Sequence, residues 1–272
     1  MSLNASSRSV AELPRGGDFP APPRGGALPD SPQLTAGTHT AGSVVVVVLV
    51  DFKSEYTLWG WTRLVMQRWP LRAVQGLKFS KVLGSGHEGG FGLRPSRTRQ
   101  GLFLGFDTEA SARDFIKASP VLDGYRSHAR ELCVALMRVC SCRGSWSGAS
   151  LEVTAEVPAD GPVVSLTRAS IRPSRARQFW HMQPASEVSL HAAPGVLMAT
   201  GVGEAPLLRQ ATFTLWQNVA AMNAYARSGA HQAAIQAAYG GNYFSESMFA
   251  RFVPVQITGT WQGRQYAQHD KP

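Results

Sequence analysis

The chain repeats itself, and the length of the repeat limits what it can fold into. Arg99-Gln100-Gly-Leu-Phe103-Leu-Gly-Phe106 matches Arg209-Gln210-Ala-Thr-Phe213-Thr-Leu-Trp216, an offset of 110 residues. Helical stretches follow both, Glu109–Phe115 and Val219–Tyr225. Each half closes on Gly-x-Trp-x-Gly, as Gly144–Gly148 and Gly259–Gly263. Upstream, Gly84-Ser-Gly86 pairs with Gly201-Val-Gly203. Solenoid units have periods of roughly 20–50 residues, and this one is far longer. The halves therefore read as two copies of one small domain, packed as an internal pseudo-dimer.

Periodicity supplies the elements. In the first half Val44–Phe52 reads as a strand. Thr57–Trp69 reads as a helix, because Leu58, Trp61, Leu64, Val65 and Arg68 follow the three-four spacing and Pro70 stops it. Leu77–Leu83, Gln100–Phe106 and Leu132–Val139 read as strands. Gly84–Thr98 reads as a Gly- and Arg-rich loop. Glu109–Arg130 reads as mostly helical, with a break near Pro120. The second half gives strands at Val163–Ile171, Val196–Thr200, Ala211–Trp216 and Ser247–Thr258. Its helices are Ser174–Trp180, started by Pro173, and Val219–Ala238. Both halves have the order β-α-β-β-α-β, the ferredoxin-like motif. The predicted fold is α+β: tandem ferredoxin-like repeats forming an intramolecular dimeric α+β barrel. The predicted organisation is a disordered tail over 1–42, a first domain over 43–148, a linker over 149–161, a second domain over 162–263 and a C-terminal tail over 264–272.

Composition narrows the class. Residues 1–42 are rich in Pro, Gly, Ser and Thr, hold almost no large apolar side chains and lack the apolar centre of a secretory signal. The longest apolar run, Val44–Val50, falls far short of the ~20 residues of a spanning helix. Cys133, Cys140 and Cys142 are odd in number and form no disulfide framework, which fits a reducing cytoplasm. The net charge is +9. In the tail Arg8, Arg15 and Arg24 cancel Glu12, Asp18 and Asp30, so the folded part carries the excess. Such a charge suits nucleic acid, an anionic membrane or an acidic partner, or simply keeps the protein in solution.

Several strings resemble the spheroidene monooxygenase family of carotenoid biosynthesis. They are Leu77–Gly86, Gly144–Gly148, Leu166–Ser174, Gln178-Phe179-Trp180, and Gly201–Leu208 with Gln210–Phe213. The likeness spans roughly residues 43–263. It implies oxidation of an acyclic carotenoid at carbon two, first to a hydroxy and then to a keto product. It also implies dioxygen, reduced ferredoxin as electron source, and haem iron as cofactor. Nucleic acid is not among the implied partners. The expected location is cytoplasmic, either free or peripheral on the cytoplasmic face of the inner membrane. Two alternatives stay open: another haem-linked monooxygenase on this barrel, or a haem or apolar-ligand binding protein.

A cofactor must carry dioxygen activation, because polypeptide side chains alone do not. The chain shows no two-His-one-carboxylate spacing and no clear dinucleotide fingerprint. Haem needs a single axial side chain, so its site leaves no motif. Related haem barrels draw that ligand from a helix facing the sheet. The candidates for cofactor binding are therefore His231, the expected metal ligand, then His181 and His128. Cys140 and Cys142, two apart on a strand, share one face and offer at most two soft ligands. Trp59, Trp180, Trp216 and Phe213 are candidates to line a channel for a polyene, with ordinary core as the competing reading. Trp146 and Trp261, equivalent in the repeat, point to a structural role. The similar strings Arg94–Gln100 and Arg172–Gln178 read as basic surface for ferredoxin, haem propionates or anionic lipid, or as solvated loops.

Overall fold

A computed structural model describes residues 37, 39–90, 94–205, 208–227 and 240–268. The elements run β1 (His39–Thr40), β2 (Val44–Phe52), α1 (Thr57–Met66), α2 (Arg68–Arg72), β3 (Leu77–Gly86), β4 (Pro95–Phe106), α3 (Glu109–Ala118), α4 (Pro120–His128), β5 (Ala129–Gly144) and β6 (Ala149–Ser150). The second half continues with β7 (Val163–Ile171), α5 (Ala176–His191), β8 (Val196–Ala205), β9 (Arg209–Trp216), α6 (Val219–Ala226), β10 (Phe244–Trp261) and β11 (Arg264–Gln268). The repeat extends to helix caps. Thr108 accepts from the Ser111 amide at the start of α3, and Asn218 accepts from the Ala221 amide at the start of α6.

Each half is a four-stranded antiparallel sheet, ordered β5-β2-β4-β3 and β10-β7-β9-β8. The sheets join at both edges, β3 to β8 and β5 to β10, so eight strands close a barrel. The second seam is long, running from Cys133/Gly259 to Gly144/Met248. The first is short: among the described residues β3 and β8 pair at Gly84/Gly203 and Ser85/Val202. Closure removes the sheet edges that would otherwise template aggregation.

Strand alternation divides the core into layers. Val45, Val47 and Leu49 of β2 face into the barrel with Phe103, Leu166, Phe213 and Phe252 from both halves. Val44, Val46, Val48 and Val50 face outward, where Phe115, Leu122 and Tyr125 cover them. A smaller outer cluster, Val163, Leu190, Ala199, Trp216 and Met222, occupies the matching place in the second half.

The structure corrects several boundaries. The first helix breaks at Gln67, and Pro70 sits inside α2. A proline is tolerated there because first-turn amides have no helical acceptor. Likewise α5 runs past Trp180 to His191 and takes in Pro184. Strand β4 begins at Pro95, inside the expected loop, because its pairing with β3 resumes there, at Gly86/Pro95. His39–Thr40, expected in the tail, pairs with Ala149–Ser150, expected in the linker. Arg264–Gln268, expected in the C-terminal tail, pairs with β10. Residues 1–36 and the 228–238 part of the last predicted helix lie outside the described residues.

The Gly-x-Trp-x-Gly motifs cap the barrel ends. A Cβ on Gly144 would lie 2.1 Å from the Ser247 carbonyl oxygen, and one on Gly259 would lie 2.0 Å from that of Leu132. Only glycine allows these approaches. Trp146 and Trp261 are fully buried. Next come two-residue turns with positive φ at Ser147 and Gly148 (53° and 74°) and at Gln262 and Gly263 (52° and 74°). These angles suit type I′ hairpins. A glutamate from the other half grips each tip. Glu246 accepts from the Gly148 amide at 2.9 Å and Ser145 Oγ at 3.0 Å. Glu131 accepts from the Gln262 and Gly263 amides at 3.0 and 2.7 Å. Trp146→Ala should destabilise the fold by about 3–5 kcal/mol, read by denaturant unfolding. Amide exchange should also be faster at Gly84, Ser85, Val202 and Gly203 than along β5 and β10, because the short seam opens first.

Candidate functional site

The halves share a strand order and differ in the strand side chains on its outer face. Where the first half has Val46 and Val48 on β2, the second has Ser165 and Thr167 on β7. Leu102 and Leu104 on β4 become Thr212 and Thr214 on β9. Leu132 and Leu136 on β5 become Ser247 and Arg251 on β10. Five branched aliphatic side chains have given way to hydroxyls and a sixth to a guanidinium. The first-half layer is therefore a filled apolar core, and the second-half layer has a floor of small hydroxyl-bearing groups. A hydroxyl in a buried layer costs free energy unless it is hydrogen-bonded. Ser165 is satisfied by the Trp216 indole at 3.0 Å.

The rim of this layer is aromatic. Phe179 of α5 meets Trp180 (5.4 Å between ring centres) and Phe244 of β10 (6.0 Å), both edge-on. Trp216 lies against Tyr225 of α6 at 5.3 Å. Burial pushes the Tyr225 phenol up to about 12, so it stays protonated and donates, here to the Ser186 carbonyl at 3.3 Å. Arg251 reaches under α6, where its Nη2 donates to Asn223 Oδ1 at 3.4 Å. Among the described residues no carboxylate lies within ion-pair distance of Arg251.

The predicted site residues fall in different layers. Trp180 and Trp216 belong to the second-half layer just described. Trp59 lies in the first-half layer, edge-on to Phe52 at 5.5 Å. Phe213 points into the barrel. A single channel lined by all four is therefore excluded by strand parity and by the two separate helix layers. His128 ends α4, stacked on Trp59 at 4.1 Å, with Nδ1 2.7 Å from the Gly124 carbonyl oxygen. His181 is exposed on α5. His231 lies outside the described residues. Among the described residues no cluster of three or more His, Cys, Asp or Glu is placed to hold a metal ion.

The two strand cysteines do not share a face. The register shifts between Arg251/Ser141 and Phe252/Val139, and this bulge breaks the alternation. Val139 and Cys142, three apart, both pack on the barrel interior. Burial pushes all three thiols up, Cys133 to about 12, so none offers a thiolate at neutral pH.

Sequence reading missed the ionic clusters at the barrel ends. At one end Arg168, buried where the first half has Leu49, bonds Glu246 Oε2, and its Nη2 lies 3.2 Å from Glu204 Oε2. Glu204 also takes Lys81 at 2.9 Å and the Trp146 indole at 2.9 Å. At the other end Asp51 binds Arg99 at 3.0 Å and Arg130 at 2.6 Å. For Glu246 alone a spacing was the missed signal: Glu131 and Glu246 are 115 apart, as are Trp146 and Trp261.

Comparison with known proteins places this geometry. No protein-family profile matches the chain. It is 53% identical over 235 residues to the spheroidene monooxygenase of Rubrivivax gelatinosus, covering 86% of this chain and 90% of that one. It is 38% identical over 210 residues to the spheroidene monooxygenase of Rhodobacter capsulatus, covering 76% and 87%. Among solved structures an aldoxime dehydratase shares the fold, with a TM-score of 0.54 and 10% identity over 80% of this chain and 84% of its own.

The ionic clusters set an acid limit. Burial raises the Glu204 pKa, but Lys81, Trp146 and Arg168 outweigh it and the net is below the ordinary value. For Glu246 the Gly148 and Ser147 amides and Arg168 likewise outweigh burial. A carboxyl depressed in the folded state contributes stability above its unfolded pKa and loses it as pH falls through the folded one. Thermal midpoints should therefore drop steeply below about pH 4. Glu204→Gln should flatten that slope while costing about 3 kcal/mol at neutral pH, because it leaves Lys81 without a carboxylate and Arg168 with Glu246 alone.

Proposed function

The chain belongs to the spheroidene monooxygenase family, and from that membership we propose that it is a carotenoid monooxygenase. It oxidises an acyclic carotenoid at carbon two, to a hydroxy and then a keto product. Dioxygen would supply the oxygen and reduced ferredoxin the electrons, with haem as the proposed cofactor. The identity to the Rubrivivax gelatinosus protein over nearly the whole folded chain carries this reading.

The residues of the second-half layer fit such a group. Haem is flat and largely apolar and bears carboxylates. Thr167, Thr212 and Thr214 make a floor of small side chains, the rim is aromatic, and Arg251 is a guanidinium without a carboxylate partner among the described residues. Arg251 would hold the carboxylates by charge-assisted hydrogen bonds. His231 remains the proposed axial ligand, followed by His181. His128 serves the first-half layer, with its ring already stacked on Trp59. When bound, haem would supply the one-electron chemistry that activates dioxygen. Phe179, Trp180, Phe244 and Trp216 would exclude water and orient the polyene by contact with its flat conjugated chain.

Reconstitution tests this. The purified chain loaded with haem should show a Soret band. With an acyclic carotenoid, ferredoxin and a reductant it should yield hydroxy and keto products. No haem uptake, or uptake with no product, would overturn the corresponding half of the proposal. His231→Ala should abolish the normal haem spectrum, and retention of that spectrum would sink the ligand assignment. Thr212→Leu with Thr214→Leu restores the first-half pattern. That pair should weaken haem uptake at least roughly tenfold by filling the layer while the fold remains thermally intact.

A further inference from the structure

The apolar stripe that makes residues 57–69 legible as a helix does not face the core. Leu58 is 75% exposed, Val65 68%, Trp61 50%, Met66 48%, Trp69 47% and Leu64 41%. The inward face of α1 and α2 is supplied instead by Trp59, Gly60, Gln67 and Leu71. Cations frame the outward ridge. Residues 53–72 hold Lys53, Arg63, Arg68 and Arg72 against the single acid Glu55. The Arg68 guanidinium stacks over the Trp69 ring at 4.9 Å. The Trp61 indole donates to the Arg97 carbonyl at 3.0 Å, which brings the basic strand end Arg94–Arg97 beside the ridge.

The geometry points to α1–α2 as a membrane-docking element that seats this ridge at the headgroup–acyl boundary of an anionic bilayer. A surface helix binds there when an apolar face carries Trp and Leu and its flanks carry Lys and Arg. Tryptophan favours that boundary because its ring is apolar and its N–H is polar. Arginines beside the ridge find lipid phosphates, which they pair well. The ridge is convex, so it suits a fluid acyl surface, whereas a protein partner would need a matching groove. No helix among the described residues is long and apolar enough to cross the membrane, so this contact lies in the plane of the interface. The inference is independent of the proposed reaction, since binding is read without substrate, haem or electron donor.

Co-sedimentation of the full chain with vesicles tests it. The chain should bind mixed phosphatidylcholine–phosphatidylglycerol vesicles and only weakly bind pure phosphatidylcholine. Its tryptophan emission should shift to the blue on binding, and Trp61→Phe with Trp69→Phe should remove most of that shift. Leu58→Gln with Val65→Gln should lower partitioning by about tenfold or more, with an unchanged thermal midpoint showing intact folding. Arg68→Gln with Arg72→Gln should weaken binding to anionic vesicles and leave the neutral ones alone. Undiminished binding by the Leu58/Val65 variant would overturn the assignment. So would a chain that ignores anionic vesicles, whether it forms a dimer that this variant dissolves or binds an acidic protein through the same face.

Discussion

Everything else in the structure depends on the antiparallel seam between β5 and β10. A ferredoxin-like sheet alone leaves two open edges and one bare face, and neither is tolerable in water. Two such sheets joined edge to edge satisfy both needs, provided the barrel ends are closed as well. Trp146 and Trp261 close them. Each tryptophan turns back on a hairpin held by a glutamate of the opposite half, so end-capping and seam formation are one event. The other seam, at Gly84 and Gly203, contributes few pairs and follows from the geometry of closure.

Fusing the halves releases them from symmetry. In a homodimer a substitution appears twice, and a polar replacement in one outer layer would loosen both. Here the first half keeps Val46, Val48, Leu102 and Leu104 under its helices and acts as the stable partner. The second half exchanges these positions for Ser165, Thr167, Thr212 and Thr214 and gives up aliphatic packing. The barrel interior shows the same freedom. Leu49 sits where the other half has Arg168, and Arg168 in turn requires Glu204 and Glu246. An ionic group can replace an aliphatic one there because Glu204 and Glu246 pair with Arg168, and the Trp146 indole and Lys81 in turn bond Glu204.

Much of the fold was legible because it was written twice. Val163–Ile171 carries the strand period without ambiguity, and the Arg99 and Arg209 strings fixed the register of the repeat. Boundaries failed where pairing overrides local signals: β5 and β10 extend well beyond their apolar centres because each has a partner on either side. The candidate layer was less legible. Its signal is a difference between aligned halves, Leu104 against Thr214, and a reading that looks for matches passes over it. Residue type alone suggests Trp59 and Phe213 for the site, but Trp59 packs from α1 into the first-half layer and strand parity turns Phe213 into the barrel. The bulge opposite Phe252 separates Cys140 from Cys142, and no local spacing announces a bulge.

The same divergence puts one helical element in two different settings. Leu71 and Leu190, both buried, are 119 residues apart, as are Trp61 and Trp180. The two tryptophans thus occupy one position of the ancestral unit. On α1 the position turns outward among arginines, above a layer already filled by Phe52, Tyr125 and Leu122. On α5 it joins Phe179 at the edge of the hydroxyl-floored layer. A filled layer gives its helix nothing more to bury, so its apolar stripe is free to seek an external surface. The hydroxyl-floored layer keeps Phe179, Phe244 and Trp216 among its aromatic contacts. The proposed division of labour rests on this packing: the half whose outer layer is filled with aliphatic side chains is the half whose helix turns its apolar stripe outward.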